Sequence, residues 1–246
     1  MIEKIEGIVV NEKSYGETSK IIDIITKKYG SISLLAKGSR KLKSDLRSVT
    51  AKMTYGYFYF NYKENKLSSL TSVDIIDNFK EIKKDIEKIS YVSFILELTN
   101  QVIKQNNDED IFDICVNAMK KINEGYDPMV ITNILELKYL SYLGVMPVID
   151  KCSICGSNKS IVTLSSDKGG YVCNNCLTNE KIVNEKTIKL IRMLYYVDIS
   201  KISKLDISDS VKKEINQFLD NYYDRYTGLY LKSKSFLSNL NKINIT

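Results

Sequence analysis

Apolar residues recur at every second position through the first eighty residues, and at every third or fourth position after them. Ile5, Gly7 and Val9 alternate with Glu6, Ile8 and Val10, after which "SYGE" (14–17) reads as a turn. "SKIIDIITKK" (19–28) is a β-branched run with Asp23 set inside it, and "YGSISLLAKGS" (29–39) is punctuated by Gly30 and Gly38. "AKMTYGYFYFNY" (51–62) and "LSSLTSVDIIDNF" (67–79) complete five strand-like segments, the last two joined through "KENK". Five short strands leave two bare edges unless they close, so a small barrel is expected. Length and count fit an OB-like barrel; an SH3-like barrel is the rival, and spacing alone does not separate them.

From about residue 80 the period becomes helical. Ile82, Ile86, Ile89 and Leu96 form one stripe, and Ile111, Ile114, Cys115, Ala118 and Ile122 a second, closed by Gly125. Asp127 caps a third helix with Pro128 at its first position. That segment is apolar around most of its girth, which predicts a central helix ended by Gly144 and Pro147. Helical pattern resumes near Glu185. The expected architecture is α+β: a barrel domain over 1–79 and a helical domain over 80–246, with a cysteine module inserted at 150–180.

Composition narrows the chemistry. The chain has no histidine, which removes the commonest general base and rules out a Ser-His-Asp triad or a Cys-His dyad. No Walker-type or dinucleotide glycine motif occurs. A non-enzymatic role is therefore expected. No apolar run approaches the ~18 residues of a membrane span, and the first residues lack a signal-peptide layout, so a cytoplasmic protein is expected.

The clearest chemical signal is C152-S-I-C155 and C173-N-N-C176, two C-x-x-C pairs separated by seventeen residues. Two thiolates three residues apart reach one ion from a tight turn, and two such turns complete a tetrahedron. "SIVTLSSDKGGYVC" between them reads as a hairpin turning at Gly169-Gly170. A structural Zn²⁺ is expected, with no position open to water. Disulfides do not suit a cytoplasmic protein, a thioredoxin-like site needs one pair in an α/β context, and an Fe–S cluster is the remaining rival. Cys115 lies on a helical apolar stripe and reads as core.

The net charge of the chain is +6, and lysine is abundant everywhere, so clustering carries more information than the total. "KGSRKLKSDLR" (37–47) sets Lys37, Arg40, Lys41, Lys43 and Arg47 against Asp45 alone, a local +4, and holds two of the four arginines. Such density favours a counter-ion partner over a merely solvated loop. Ser39, Ser44 and Ser48 add donors for phosphate oxygens, and Gly38 permits close backbone approach. In the aromatic strand, Tyr55, Tyr57 and Tyr59 share one face, with Phe58, Phe60 and Tyr62 on the other. One face fills the barrel; the other either stacks on unpaired bases, with Tyr57 and Tyr59 as candidates, or covers the barrel and packs on the helices.

Taken in order, "GIVVNEKSYGETSKIIDIITKKYG", "AKGSRKLKS", the paired C-x-x-C and "YLKSKSFL" resemble the RecO family of bacterial recombination mediators, over nearly the whole chain. The resemblance implies an OB-fold, a helical domain and a zinc module. It also implies binding of single- and double-stranded DNA, annealing of complementary strands, and action with RecR to load recombinase onto DNA covered by single-stranded-DNA-binding protein, whose acidic C-terminal tail it binds. Lys37, Arg40, Lys41 and Lys43 match the family's basic DNA-contacting segment, and Cys152, Cys155, Cys173 and Cys176 its metal ligands. From the residues alone, an RNA-binding OB and zinc protein of translation or transcription remains the alternative, and a metalloenzyme would need an open coordination position.

Overall fold

The computed structural model describes residues 2–63, 66–234 and 237. Five strands, β1 (Ile2–Tyr15), β2 (Ser19–Thr26), β3 (Gly30–Ala36), β4 (Tyr55–Asn61) and β5 (Ser68–Asp77), close into a barrel in the order β1-β2-β3-β5-β4. β4 returns antiparallel onto β1, with Ile8 opposite Tyr55. Closure comes from a short parallel contact of β3 with β5 through Leu34–Ser68 and Leu35–Ser69. This strand order is that of an OB barrel and decides against the SH3-like alternative.

Alternation explains the barrel's two cores. Ile5 and Val9 point inward with Ile22, Ile24, Leu34, Phe58 and Phe60. Ile8 and Val10 point outward with Ile25, Met53 and Tyr55, and are buried against the helices. Both parities of "GIVV" are therefore covered, so that segment reads as a continuous apolar run. A bulge between Val9 and Asn11 bends β1 after it has served both sides. The barrel hands over to the helices at Phe79, a fully buried ring in the left-handed backbone region (φ +47°), held by its N–H donating to Asp77 Oδ1 at 2.7 Å. Tyr55 stacks on Phe79 with ring centroids 6.1 Å apart.

The helical half begins with α2 (Lys80–Lys83), α3 (Ile86–Gln105), α4 (Glu109–Asn123) and α5 (Pro128–Tyr142), and ends with α6 (Glu185–Tyr196) and α7 (Asp209–Tyr226). Sequence spacing joined Ile82 and Ile86 into one stripe. The structure separates them, because Asp85 caps a new helix by accepting from the Glu87 and Lys88 N–H groups, and Ile86 is left 63 % exposed. Helix α5 is central as expected. Asp127 accepts from the Met129 and Val130 N–H groups at 2.9 and 3.1 Å, and Ile131, Ile134, Leu135, Leu137 and Leu140 are fully buried. It packs on α3, α4, α6 and α7. In the "YLKSKSFL" segment, Ser235 and Phe236 lie outside the described residues.

Candidate nucleic-acid interface and metal centre

The basic stretch is the β3–β4 connection. Its backbone is tied down locally. Ser39 is fully buried and donates to the Ala36 carbonyl at 2.9 Å, so it braces the turn and is not a phosphate donor. Gly38 sits at φ +66°, a conformation that itself asks for glycine, and its N–H donates to Ser19 Oγ at 3.1 Å. The Arg40 N–H donates to the Thr18 carbonyl at 2.8 Å, and its guanidinium reaches the Gly16 carbonyl at 3.3 Å. These bonds pin the connection to the β1–β2 hairpin. A single helical turn, α1 (Leu46–Val49), follows, with Leu46 packed against the barrel core. Lys37, Arg40, Lys41, Lys43 and Arg47 are all exposed, and none forms an ion pair among the described residues. The fold fixes the loop and leaves its charge unanswered.

The aromatic strand divides three ways. Phe58 and Phe60 fill the barrel, and Tyr55 packs on the helical half. Tyr57 and Tyr59 lie half-buried on the outside. The Lys4 ammonium sits 4.3 Å from the Tyr57 ring centroid and 5.4 Å from that of Tyr59, and Tyr59 donates to Asp74 Oδ2 at 2.8 Å. A hydrogen bond with the Tyr59 hydroxyl raises the Lys4 pKa. Tyr62 does not share the face of Phe58 and Phe60 as its spacing suggested. β4 ends at Asn61, and Tyr62 stands 57 % exposed.

Tyr62 instead borders a cavity of about 510 Å³ at the other end of β3 from the basic connection. Tyr29 forms another wall, Ile32, Leu34 and Phe60 lie beneath, and Lys63 and Lys66 line it. Lys28 sits 5.0 Å from the Tyr29 ring centroid. Two tyrosines with an apolar floor and nearby cations are the elements of a nucleobase seat. Sequence reasoning passed over it. Its trace was the Lys–Tyr interleaving of the two turns, "KKY" and "YKENK".

The four cysteines converge. The Sγ atoms of Cys152, Cys155, Cys173 and Cys176 all lie within 4.8 Å of one another, with Cys155 and Cys173 at 3.6 Å. Four sulfurs about 2.3 Å from a common ion stand about 3.8 Å apart along a tetrahedral edge, so this set fits one. Strands β6 (Ile161–Ser165) and β7 (Gly170–Cys173) form the hairpin that brings the second pair to the first. Gly156, at φ +73°, lets its N–H turn back to the Cys152 carbonyl at 2.9 Å. Burial opposes the Cys152 thiolate, but N–H groups of Cys155, Cys173 and Ile154 outweigh it and lower that pKa to about 6. The second pair is braced by Lys168, which donates to the Cys176 carbonyl at 3.0 Å and pairs with Glu180 at 2.6 Å. Lys168 and the Thr178 N–H hold the Glu180 carboxyl down at about 2. Cys115 is fully buried, as its stripe implied, and burial pushes its thiol up to about 12.

Among the described residues no helix is long and apolar enough to cross a membrane. Residues 1–79 match the family described as Recombination protein O N terminal, and residues 83–235 the one described as Recombination protein O C terminal. A DNA repair protein RecO of Bacillus cereus (strain AH187) is 36 % identical over 249 residues, covering all of both chains. A protein of the same name from Listeria monocytogenes serotype 4b (strain CLIP80459) is 34 % identical over 245 residues, 98 % of this chain and 96 % of the relative. One from Listeria innocua matches at the same identity and coverage. With full-length likeness added to the barrel, the cysteine cluster and the basic connection, the chain belongs to the RecO family of DNA repair proteins.

Proposed function

We propose that this chain binds DNA through its barrel, anneals complementary strands and, with RecR, helps load recombinase onto DNA coated by single-stranded-DNA-binding protein, whose C-terminal tail it also binds. The observation that carries the DNA-binding reading is the pinned β3–β4 connection with five exposed, unpaired cations. Because hydrogen bonds already fix its backbone, little ordering entropy is lost when phosphates arrive. Lys37, Arg40, Lys41, Lys43 and Arg47 offset the repulsion between backbones and release counterions. Tyr29 and Tyr62 seat an unpaired base, with Tyr57 and Tyr59 as a flatter surface already shared with Lys4. Base pairing supplies the driving force, so no catalytic residue is required.

In this reading residues 1–79 are the DNA-binding unit and 80–246 the helical unit. Cys152, Cys155, Cys173 and Cys176 hold a structural Zn²⁺ in the module at 150–180, where the ion supplies cross-linking and no reaction chemistry. The protein works in the cytoplasm, at the nucleoid. The test is annealing of complementary oligonucleotides coated with single-stranded-DNA-binding protein, without nucleotide. Accelerated annealing is expected. No acceleration, or strong preference for RNA over DNA of equal sequence, overturns the reading, and RNA preference points to the translation or transcription alternative.

A further inference from the structure

A cavity of about 740 Å³ lies in the cleft between barrel and α3. One wall is the β1–β2 hairpin, where Asn11 and Lys13 line the cleft two residues apart and Asp23 lies beside Asn11. The other is a stripe of α3 from Ser93 through Glu97 and Asn100 to Lys104, about 16 Å long at the helical rise. Lys52, from the same β3–β4 connection as the basic stretch, lies between them.

Two groups in this cleft lack what they need. Partial burial of the Lys52 side chain lowers its pKa, with the Glu97 carboxylate opposing that shift from a distance, and Lys52 forms no hydrogen bond or close ion pair among the described residues. The Asn100 Oδ1 is buried and has no donor among the described residues. A half-buried cation without a close ion pair and a buried acceptor without a donor each cost free energy. The carboxylates nearby are already engaged. Asp23 accepts from Asn11 at 2.9 Å and Ser33 at 2.5 Å, and Glu97 accepts from the Lys232 and Ser233 N–H groups at 3.0 and 2.8 Å and from the Ser233 hydroxyl at 2.5 Å. The lysines lining the cleft (13, 52, 104 and 232) outnumber its carboxylates by four to two.

We propose that this cleft seats the backbone of a second nucleic-acid strand, with phosphates on Lys13, Lys52 and Lys104. Continuity favours this occupant, since Lys52 shares a connection with the basic stretch, and Arg40 is bonded to the turn of the hairpin that carries Lys13. An acidic peptide with an apolar anchor fits poorly, because the apolar lining residues, Val10 and Leu96, are themselves buried. The inference rests on the DNA-binding reading above and deepens it: one strand sits on the loop and its complement in the cleft.

The experiment uses the full, metal-loaded chain, labelled oligothymidylate and its complementary oligoadenylate. Lys13→Ala/Lys52→Gln/Lys104→Ala is expected to hold the first strand within about twofold of the parent and to anneal more than tenfold more slowly. The salt slope of second-strand capture should flatten by about 2, at about 0.7 per lost phosphate contact for three contacts. The single change Lys52→Gln should slow annealing, and Lys52→Arg should restore it, which separates charge from folding. Parent-like annealing by the triple variant, or loss of polyglutamate binding with second-strand capture unchanged, overturns the inference and leaves loop binding intact. Failure of the unaltered protein to bind the first strand instead sinks the DNA-binding reading itself.

Discussion

The two halves of the molecule handle charge in opposite ways. Residues 1–79 hold thirteen cations and nine anions, a net +4, and the eleven-residue basic stretch alone accounts for that excess. All five of its cations face solvent, and none forms an ion pair among the described residues. The helical half gathers some of its ionisable groups inward. Four cysteine sulfurs crowd within 4.8 Å, and Glu136, 4 % exposed, sits inside the bundle. A charge left outward and unpaired keeps its electrostatic energy for a partner that comes and goes. A charge gathered inward must be answered on the spot, by a metal, a proton or a backbone dipole. On the function proposed above, the barrel finds a ligand and the cysteine module keeps one.

The largest expected effect lies on the keeping side. Zinc binding to a four-thiolate module is worth about 10–16 kcal/mol in isolated modules, and the β6–β7 hairpin has only a short ladder without it. Chelation, or Cys155→Ser, is expected to lower the melting temperature by at least about 10 °C, the shift that roughly 3–4 kcal/mol produces in a chain of this size. Calorimetry with metal analysis measures both. Single-strand affinity at the loop should change little at temperatures where the barrel stays folded. If chelation abolished loop binding there, the two halves would not be separable in this way. An unchanged melting temperature would deny the module its structural metal.

Next in size is the finding side. Five phosphate contacts to a single strand correspond to a log–log salt slope of about −3.5. Changing Lys37, Arg40, Lys41 and Lys43 to alanine leaves Arg47, and the slope should flatten to about −0.7. Fluorescence anisotropy over a salt series reads this directly. Stability should be unaffected or slightly improved, because like charges held close together repel one another. A steep slope retained by the variant would place the first-strand site elsewhere.

Legibility in the sequence followed the same division. The cysteine module was readable because metal geometry dictates spacing, and the hairpin and the knuckle at Gly156 then follow locally. The basic connection was readable as charge density, but Ser39 was misjudged, since which serine braces a turn depends on a carbonyl the fold delivers. The strand count pointed to closure, while the choice of OB order rests on two parallel pairs between β3 and β5, which no local pattern encodes. The Tyr29–Tyr62 cavity left only a faint trace in its two turns, and the barrel–α3 cleft none, for a related reason. Each joins residues from distant segments, none of them unusual alone. Helix α5 stood out because apolar residues all around a helix have one outcome, burial on every side.

The smallest effect tests whether inward charge in the helical half always has its answer. Glu136 borders a small cavity with Tyr91, Phe94 and Leu237, beside Asp220 and Lys234. Burial, with the Asp220 carboxylate adding to it and Lys234 opposing, raises its pKa well above the ordinary carboxylate range. Burial also raises the Asp220 pKa, though Lys234 opposes that as well. The native state therefore keeps a proton on Glu136 that the unfolded chain releases above its usual pKa. A raised carboxyl contributes stability that is fully present below the unfolded pKa and is lost as pH rises toward the folded one. Glu136→Gln preserves shape and carries no ionisable proton. It should match the parent near pH 5 and melt a few degrees higher near pH 8, read by calorimetry with zinc present throughout. The opposite order at pH 8, with the glutamine variant less stable, would mean that an ionised Glu136 pairs with Lys234, and that the helical half answers this charge with an ion pair and not with a proton.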